Sequence, residues 1–198
     1  PTRRSSDLKP TPPVDASKPN VNWTARALRH HRVFFVSCIP PDDLDEPDKV
    51  NSLEAKLTAQ LVKYAYNEHA SNFNAYSTLG IIVPYRNQIA TMRAAIDQLN
   101  IPVLHNITID TVERYQGSQR DIIIYSFTAK HKYQLQFLTN NEYVDKRSGC
   151  IIDRKLNVAM TRARKHLVLL GNAPLLAADI TFSRLINYCK ANDAFTKA

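Results

Sequence analysis

Asp121-Ile122-Ile123-Ile124-Tyr125-Ser126-Phe127 decides the fold. Its apolar residues do not alternate with polar ones, so the run reads as a strand buried on both faces rather than one lying on water. Working outward, Leu79-Gly80-Ile81-Ile82-Val83 is a second such run, stopped by Pro84, and Arg32-Val33-Phe34-Phe35-Val36-Ser37-Cys38 is a third, ending at Pro40-Pro41. Shorter strands are expected at Ile107–Asp110 and Leu167–Leu170. Helical patterns fall between them. One is expected from about Asn51 to His69, with Asn51 and Glu54 in N-cap and third-position relation and a stripe of Leu53, Leu57, Leu61 and Ala65. Another carries Ile89, Met92, Ile96 and Leu99 on one face, a third runs near Arg154–Arg164, and helical segments close the chain to about Asn192. Buried strands alternating with helices predict an α/β fold, a parallel sheet flanked by helices. In such sheets ligands bind beyond the carboxyl ends of the strands, so residues just past each strand are the first candidates.

Residues 1–31, with prolines at 1, 10, 12, 13 and 19, read as a linker or N-terminal arm, leaving 32–198 as the domain. Residues 130–150 read as a polar, loop-like insertion. The chain carries 26 Lys and Arg against 18 Asp and Glu, a net charge of +8 and a pI near 9.5. That excess favours a polyanionic partner, because each neutralised phosphate releases condensed counterions. Cys38, Cys150 and Cys189 are too few and too scattered for a disulfide framework or a zinc site, which predicts free thiols. No apolar run approaches a membrane span and no signal-like segment opens the chain, so the expectation is a soluble, cytoplasmic protein.

Three clusters carry chemistry: Pro84-Tyr85-Arg86-Asn87-Gln88, Thr111 through Asp121 (TVERYQGSQRD), and Asp153 through Arg164 (DRKLNVAMTRAR). In the last, Leu156, Ala159 and Ala163 share one helical face. Arg162 and Arg164, two residues apart, point nearly opposite ways if both are helical, so one is free for a ligand cleft while the other faces solvent or an acidic neighbour. A guanidinium binds phosphate oxygens bidentately and keeps its charge, which suits an arginine finger. A solvated basic helix explains the same spacing. Tyr85 reads either as a ligand contact or as a half-buried aromatic at a strand end; Arg86, Arg114 and Arg120 read as phosphate contacts or surface charges.

The stretches LGIIVPYRNQ (Leu79–Gln88), TVERYQGSQRDIIIYSF (Thr111–Phe127) and DRKLNVAMTRARKHLVLLGN (Asp153–Asn172) resemble motifs IV, V and VI of superfamily 1 helicases. The similarity is to the branch that includes the nonsense-mediated-decay helicase and the replication helicase-nucleases. The resemblance implies a RecA-like domain of the P-loop NTPase type, the second of two motor domains that close around ATP and inch along one strand. It implies that Arg162 is the finger reaching the γ-phosphate, at the sheet's ligand-binding edge. It further implies that Gln116, Gly117, Gln119, Arg164, Tyr85 and Arg86 lie at the nucleotide, and that Thr111 and Arg114 contact the nucleic acid. Many relatives place Glu where this chain has Gln119. ATP and Mg²⁺ are then bound mainly by a first RecA-like domain, and the other partner is single-stranded nucleic acid, DNA favoured over RNA.

A P-loop of the form G-x-x-x-x-G-K-[ST] is absent: the only glycines, 80, 117, 149 and 171, do not fit it. The chain is therefore expected to be part of a longer helicase and inactive alone. The alternative is a non-catalytic nucleic-acid-binding module derived from a helicase domain. A metal-nuclease reading of Asp121 and Asp153 lacks ligand spacing, and a stand-alone nucleotide-binding regulatory domain lacks a phosphate loop.

Overall fold

The structure is a computed structural model that describes residues 22–41, 45–115, 119–139, 142–146, 149 and 151–198. Six strands form one sheet: β1 (Val33–Ser37), β2 (Leu79–Val83), β3 (Thr108–Thr111), β4 (Arg120–Ser126), β7 (Ala163–Gly171) and β8 (Phe195–Lys197). Their spatial order is β3-β2-β4-β7-β1-β8, and every pairing is parallel. The central pair sets Ile122–Ser126 beside His166–Leu170, and side chains on both faces of β4 are buried, as its unbroken apolar run requires. This is a RecA-like α/β sheet flanked by helices.

The crossover helices α2 (Ser52–Glu68) and α3 (Arg86–Asp97) step one way along the sheet. The helices α5 (Arg154–Arg162), α6 (Ala173–Leu176) and α7 (Ile180–Ala191) step the other way, so right-handed crossovers put the two sets on opposite faces. The start of α2 is built as its sequence predicts. The Asn51 side chain accepts from the Glu54 N–H at 3.0 Å and donates to the Glu54 carboxylate at 3.0 Å. Gln88, fully buried, clamps the same turn by bonding both the N–H and the C=O of Asn51 at 2.9 Å.

Two expectations change. Residues 22–31 are not linker: α1 (Trp23–Arg29) starts on an Asn22 cap and buries Ala27 and Leu28 in the core. Asn22 through Arg29 carries an amphipathic turn that the prolines upstream concealed; residues 1–21 lie outside those described. The 130–150 insertion is not a plain loop either. It contains α4 (Lys132–Thr139), which buries Leu135 and Leu138, and β5 (Glu142–Val144), antiparallel to β6 (Ile151–Asp153). Leucines at 135 and 138 are the helical pair that marks it. Of the cysteines, Cys38 and Cys189 are free and buried, and Cys150 lies outside the described residues.

Gly80 in β2 is needed for space. A Cβ there overlaps the Tyr115 hydroxyl and comes within 2.7 Å of its Cζ. Tyr115 is fully buried and lies across β2 immediately before residues 116–118, so the small residue in the strand seats the loop that follows β3. Gly80→Ala is expected to lower stability by about 2–3 kcal/mol, the cost of forcing a buried ring aside. A urea-unfolding midpoint equal to wild type rejects this packing account.

Candidate functional site

At the carboxyl ends of β1, β2 and β3 the loops enclose a cleft of about 720 Å³. Its walls are the 48–49 turn, Pro84 to Asn87, Thr111 to Arg114 without Val112, and the α4 residues Tyr133, Gln134 and Phe137. The structure thus brings together Tyr85, Arg86, Thr111 and Arg114, which are 27 or so positions apart in sequence, on the edge where a parallel sheet binds ligands. Arg86 and Arg114 are exposed cations at the rim, while Thr111 is 7% exposed at the last position of β3.

Tyr85 is also 7% exposed. Phe137 stacks on one side with ring centroids 5.0 Å apart, and the Lys49 ammonium lies 5.7 Å from the ring centre. Burial, with the nearby Asp48 charge, pushes the Tyr85 hydroxyl up to about 12, so it stays protonated and the ring serves as a neutral aromatic wall. Asp48 is held below the usual carboxylate range, chiefly by the hydrogen bond from the Tyr133 hydroxyl at 2.7 Å, and it also accepts from Gln134 at 3.0 Å. Asp48 therefore fastens α4 over the cleft. Its charge and that of Glu113 repel a phosphodiester, so neither is a strand contact.

Sequence reasoning missed Lys49, Tyr133 and Phe137. Lys49 takes a left-handed backbone (φ 64°) that brings its ammonium back over Tyr85. Tyr133 and Phe137, four apart, share a helical face that was legible only once 132–139 is recognised as a helix.

The remaining candidates lie elsewhere, so the expectation that Tyr85 and Arg86 share one nucleotide site with Gln119 and Arg162 is corrected: they line the cleft that holds the expected strand contacts Thr111 and Arg114. Gln119 directly precedes β4 and Arg162 directly precedes β7, at the amino ends of the two central strands. The expectation that Arg162 occupies the carboxyl, ligand-binding edge is corrected: α5 runs opposite to the strands and delivers its last residue to their other end. Gln119 donates to the Thr161 carbonyl at 3.3 Å, which ties the segment before β4 to the last turn of α5. Arg162 is half-buried, its Nε is enclosed with no hydrogen-bond partner, and it forms no ion pair among the described residues. Gln116 and Gly117 lie outside the described residues.

The opposite-face argument for Arg162 and Arg164 is also corrected. Helix α5 stops at Arg162; Ala163 is extended (φ −82°, ψ 119°) and pairs with Arg120 as β7 begins. The Arg32 guanidinium donates to the carbonyls of Ala163 (3.3 Å) and Arg164 (2.7 Å) where the chain has become extended. Arg164 faces Asp121 at 3.6 Å, and Lys165 holds the same carboxylate at 2.8 Å. Arg120 is a structural residue, 8% exposed, stacked on Tyr115 and donating to the Gln119 carbonyl and the Thr108 hydroxyl. Asp153 caps α5 by accepting from the Leu156 N–H at 2.6 Å.

Residues 5–174 match the family model described as "AAA domain". The chain belongs to this AAA-domain family of superfamily 1 helicases. It is 29% identical over 164 residues to Regulator of nonsense transcripts 1 of Dictyostelium discoideum, covering 80% of this chain and 11% of that protein. It is 29% identical over 158 residues to the DNA replication ATP-dependent helicase/nuclease DNA2 of Xenopus tropicalis (78% and 13%), and 29% identical over 167 residues to Probable RNA helicase armi of Drosophila melanogaster (83% and 13%). The helicase domain therefore spans about an eighth of these relatives. One is named for DNA and another for RNA, so the expected preference for DNA over RNA finds no support. Among the described residues of this helicase domain, no helix is long and apolar enough to cross a membrane, and no three His, Cys, Asp or Glu side chains group to hold a metal ion.

Proposed function

We propose that this chain is the C-terminal motor half of an ATP-driven superfamily 1 helicase, in which Arg162 is the finger and the Tyr85–Thr111–Arg114 cleft is part of the strand path. The observation that carries the reading is Arg162 itself: a half-buried guanidinium at a helix end, its Nε enclosed and without a hydrogen-bond partner among the described residues, suits a group supplied by a facing domain. Such a group gains most from the γ-phosphate of a nucleotide bound by a facing RecA-like domain, where it stabilises the charge of phosphoryl transfer. Gln119, bonded to the last turn of α5, keeps the segment before β4 beside it. When bound, ATP with Mg²⁺ supplies the transferable phosphoryl group and its charge neutralisation; this chain contributes the finger and orients it.

On the other edge, two rim arginines and the Thr111 hydroxyl suit a sugar-phosphate backbone, which is recognised without regard to sequence. Arg114→Ala, in a protein carrying both motor halves, is expected to weaken binding of oligo(dT) and oligo(U) alike and to lower the slope of log affinity against log salt by about 1. Fluorescence anisotropy across a salt series reads both. An unchanged slope removes Arg114 from the strand path. ATP-dependent unwinding of a duplex with a single-stranded tail, measured on the same protein, tests the activity as a whole; strand binding without any ATP turnover selects the non-catalytic module instead.

A further inference from the structure

We propose that Lys155 is a positioning residue that transmits occupancy of the strand cleft to Arg162. The inference rests on the finger-and-cleft reading above and adds to it the connection between the two edges of the sheet.

Lys155 is the second residue of α5 and only 9% exposed. From α5 its ammonium joins two segments of the cleft wall: it lies 3.7 Å from the centre of the Phe137 ring in α4, donates to the Phe137 carbonyl at 3.3 Å, and sits 3.6 Å from the Glu113 carboxylate. Burying an ammonium is costly unless it is paired, and an apolar side chain of the same length covers Phe137 without that cost. A charge at this position is therefore poorly explained by stability alone. It answers Glu113, which is 58% exposed at the cleft wall beside Arg114.

Lys155 and Arg162 are seven residues apart in one helix, hence on the same face and about 10 Å apart along the axis. Asp153 caps the first turn, so the nine-residue helix moves as a body. A phosphodiester arriving at Thr111 and Arg114 adds negative charge beside Glu113. Glu113 is displaced with the 111–115 loop, Lys155 follows its carboxylate, and α5 carries the shift to Arg162 on the opposite edge. Strand occupancy and phosphoryl transfer are thereby linked through one ion pair and one short helix, a physical two-site coupling.

The test uses a protein with both motor halves and measures ATP turnover with and without saturating oligo(dT) or oligo(U). Lys155→Met keeps the apolar stem over Phe137 and removes the charge. It is expected to reduce strand stimulation about tenfold while leaving the unstimulated rate, the KM for ATP and oligonucleotide affinity as in wild type. Lys155→Arg is expected to restore stimulation, and Glu113→Gln, on an exposed side chain that threatens no fold, to reproduce the loss. Full stimulation in Glu113→Gln overturns the proposal, even if Lys155→Met does not fold. So does a Lys155→Met variant whose stimulated and unstimulated rates fall in proportion with a lowered Tm, the mark of a merely structural residue. Arg162→Ala separates the two levels: if it keeps wild-type turnover the finger reading fails whatever Lys155 does. If it abolishes turnover while Glu113→Gln keeps full stimulation, only the coupling fails.

Discussion

In a protein carrying both motor halves, Arg162→Ala is expected to cut ATP turnover about a thousandfold or more, the range in which arginine fingers act, while affinity for an oligonucleotide stays at the wild-type value. The Arg162 Nε is enclosed without a partner, and among the described residues no acid pairs with it. The Nε of Arg120 is enclosed in the same way, but the other nitrogens of Arg120 donate to the Gln119 carbonyl and the Thr108 hydroxyl, whereas no such bond holds Arg162 among the described residues. Arg162→Lys is expected to recover little, since a compact ammonium lacks the planar fork that grips two phosphate oxygens. Arg164→Ala is the control. Arg164 is half-exposed and shares Asp121 with Lys165, so its loss removes a screened surface pair of about 1 kcal/mol or less. Steady-state phosphate release decides the matter: wild-type turnover in Arg162→Ala ends the finger assignment, and equal losses in the two variants assign the effect to general basicity.

The second large effect is expected at Glu54, which the sequence marks only as a helix-start residue paired with Asn51. It is fully buried at the start of α2. It accepts from the Ser126 hydroxyl, from the Thr128 N–H at 2.9 Å and from the Asn51 amide at 3.0 Å. Thr128 sits at φ 57°, a left-handed conformation that a β-branched residue adopts only under constraint, and the Glu54 carboxylate is what holds its N–H. Glu54→Ala leaves the buried Asn51 amide and Thr128 N–H without this acceptor and is expected to lower unfolding stability by about 3 kcal/mol. Burial pushes the Glu54 carboxyl up from 4.5 to about 8, against the pull of its hydrogen bonds. The folded state thus keeps a proton that the unfolded chain has lost. The stability this provides is full below about pH 4.5 and is lost as pH rises through about 8. Glu54→Gln does not titrate, so wild-type stability relative to this variant is expected to fall by about 2–4 kcal/mol between about pH 5 and about pH 9. Urea unfolding at the two pH values reads the difference; a gap independent of pH means that the carboxyl is ionised throughout.

What could be read from the chain followed from how local each cause is. The strand at Asp121–Phe127 and the Asn51–Glu54 helix start are set by residues within a few positions of one another, and both are found where the pattern puts them. The end of α5 is not local. It coincides with long-range partners: Ala163 pairs with Arg120 in the sheet, and Arg32, more than a hundred residues away, donates to the carbonyls of Ala163 and Arg164. The same holds for the cleft. Tyr85, Arg86, Thr111 and Arg114 carry motif signals, but the wall over them comes from Tyr133 and Phe137 in a segment whose polar composition masks a helix. Lys155 had no signal at all, because its two partners, Phe137 and Glu113, come together with it only in the folded chain. Helix α1 was hidden by the proline-rich residues before it.

The sixth strand has a practical meaning for anyone expressing this domain. The family match ends at residue 174, yet α7 and β8 lie beyond it. Phe195 stacks on Phe35, Phe182 packs on Phe127, and Phe35 to Ser37 of β1 pair with Phe195 to Lys197. A recombinant piece trimmed to the matched residues would bare a flat hydrogen-bonding edge and two core aromatics, the conditions under which sheets self-associate and precipitate.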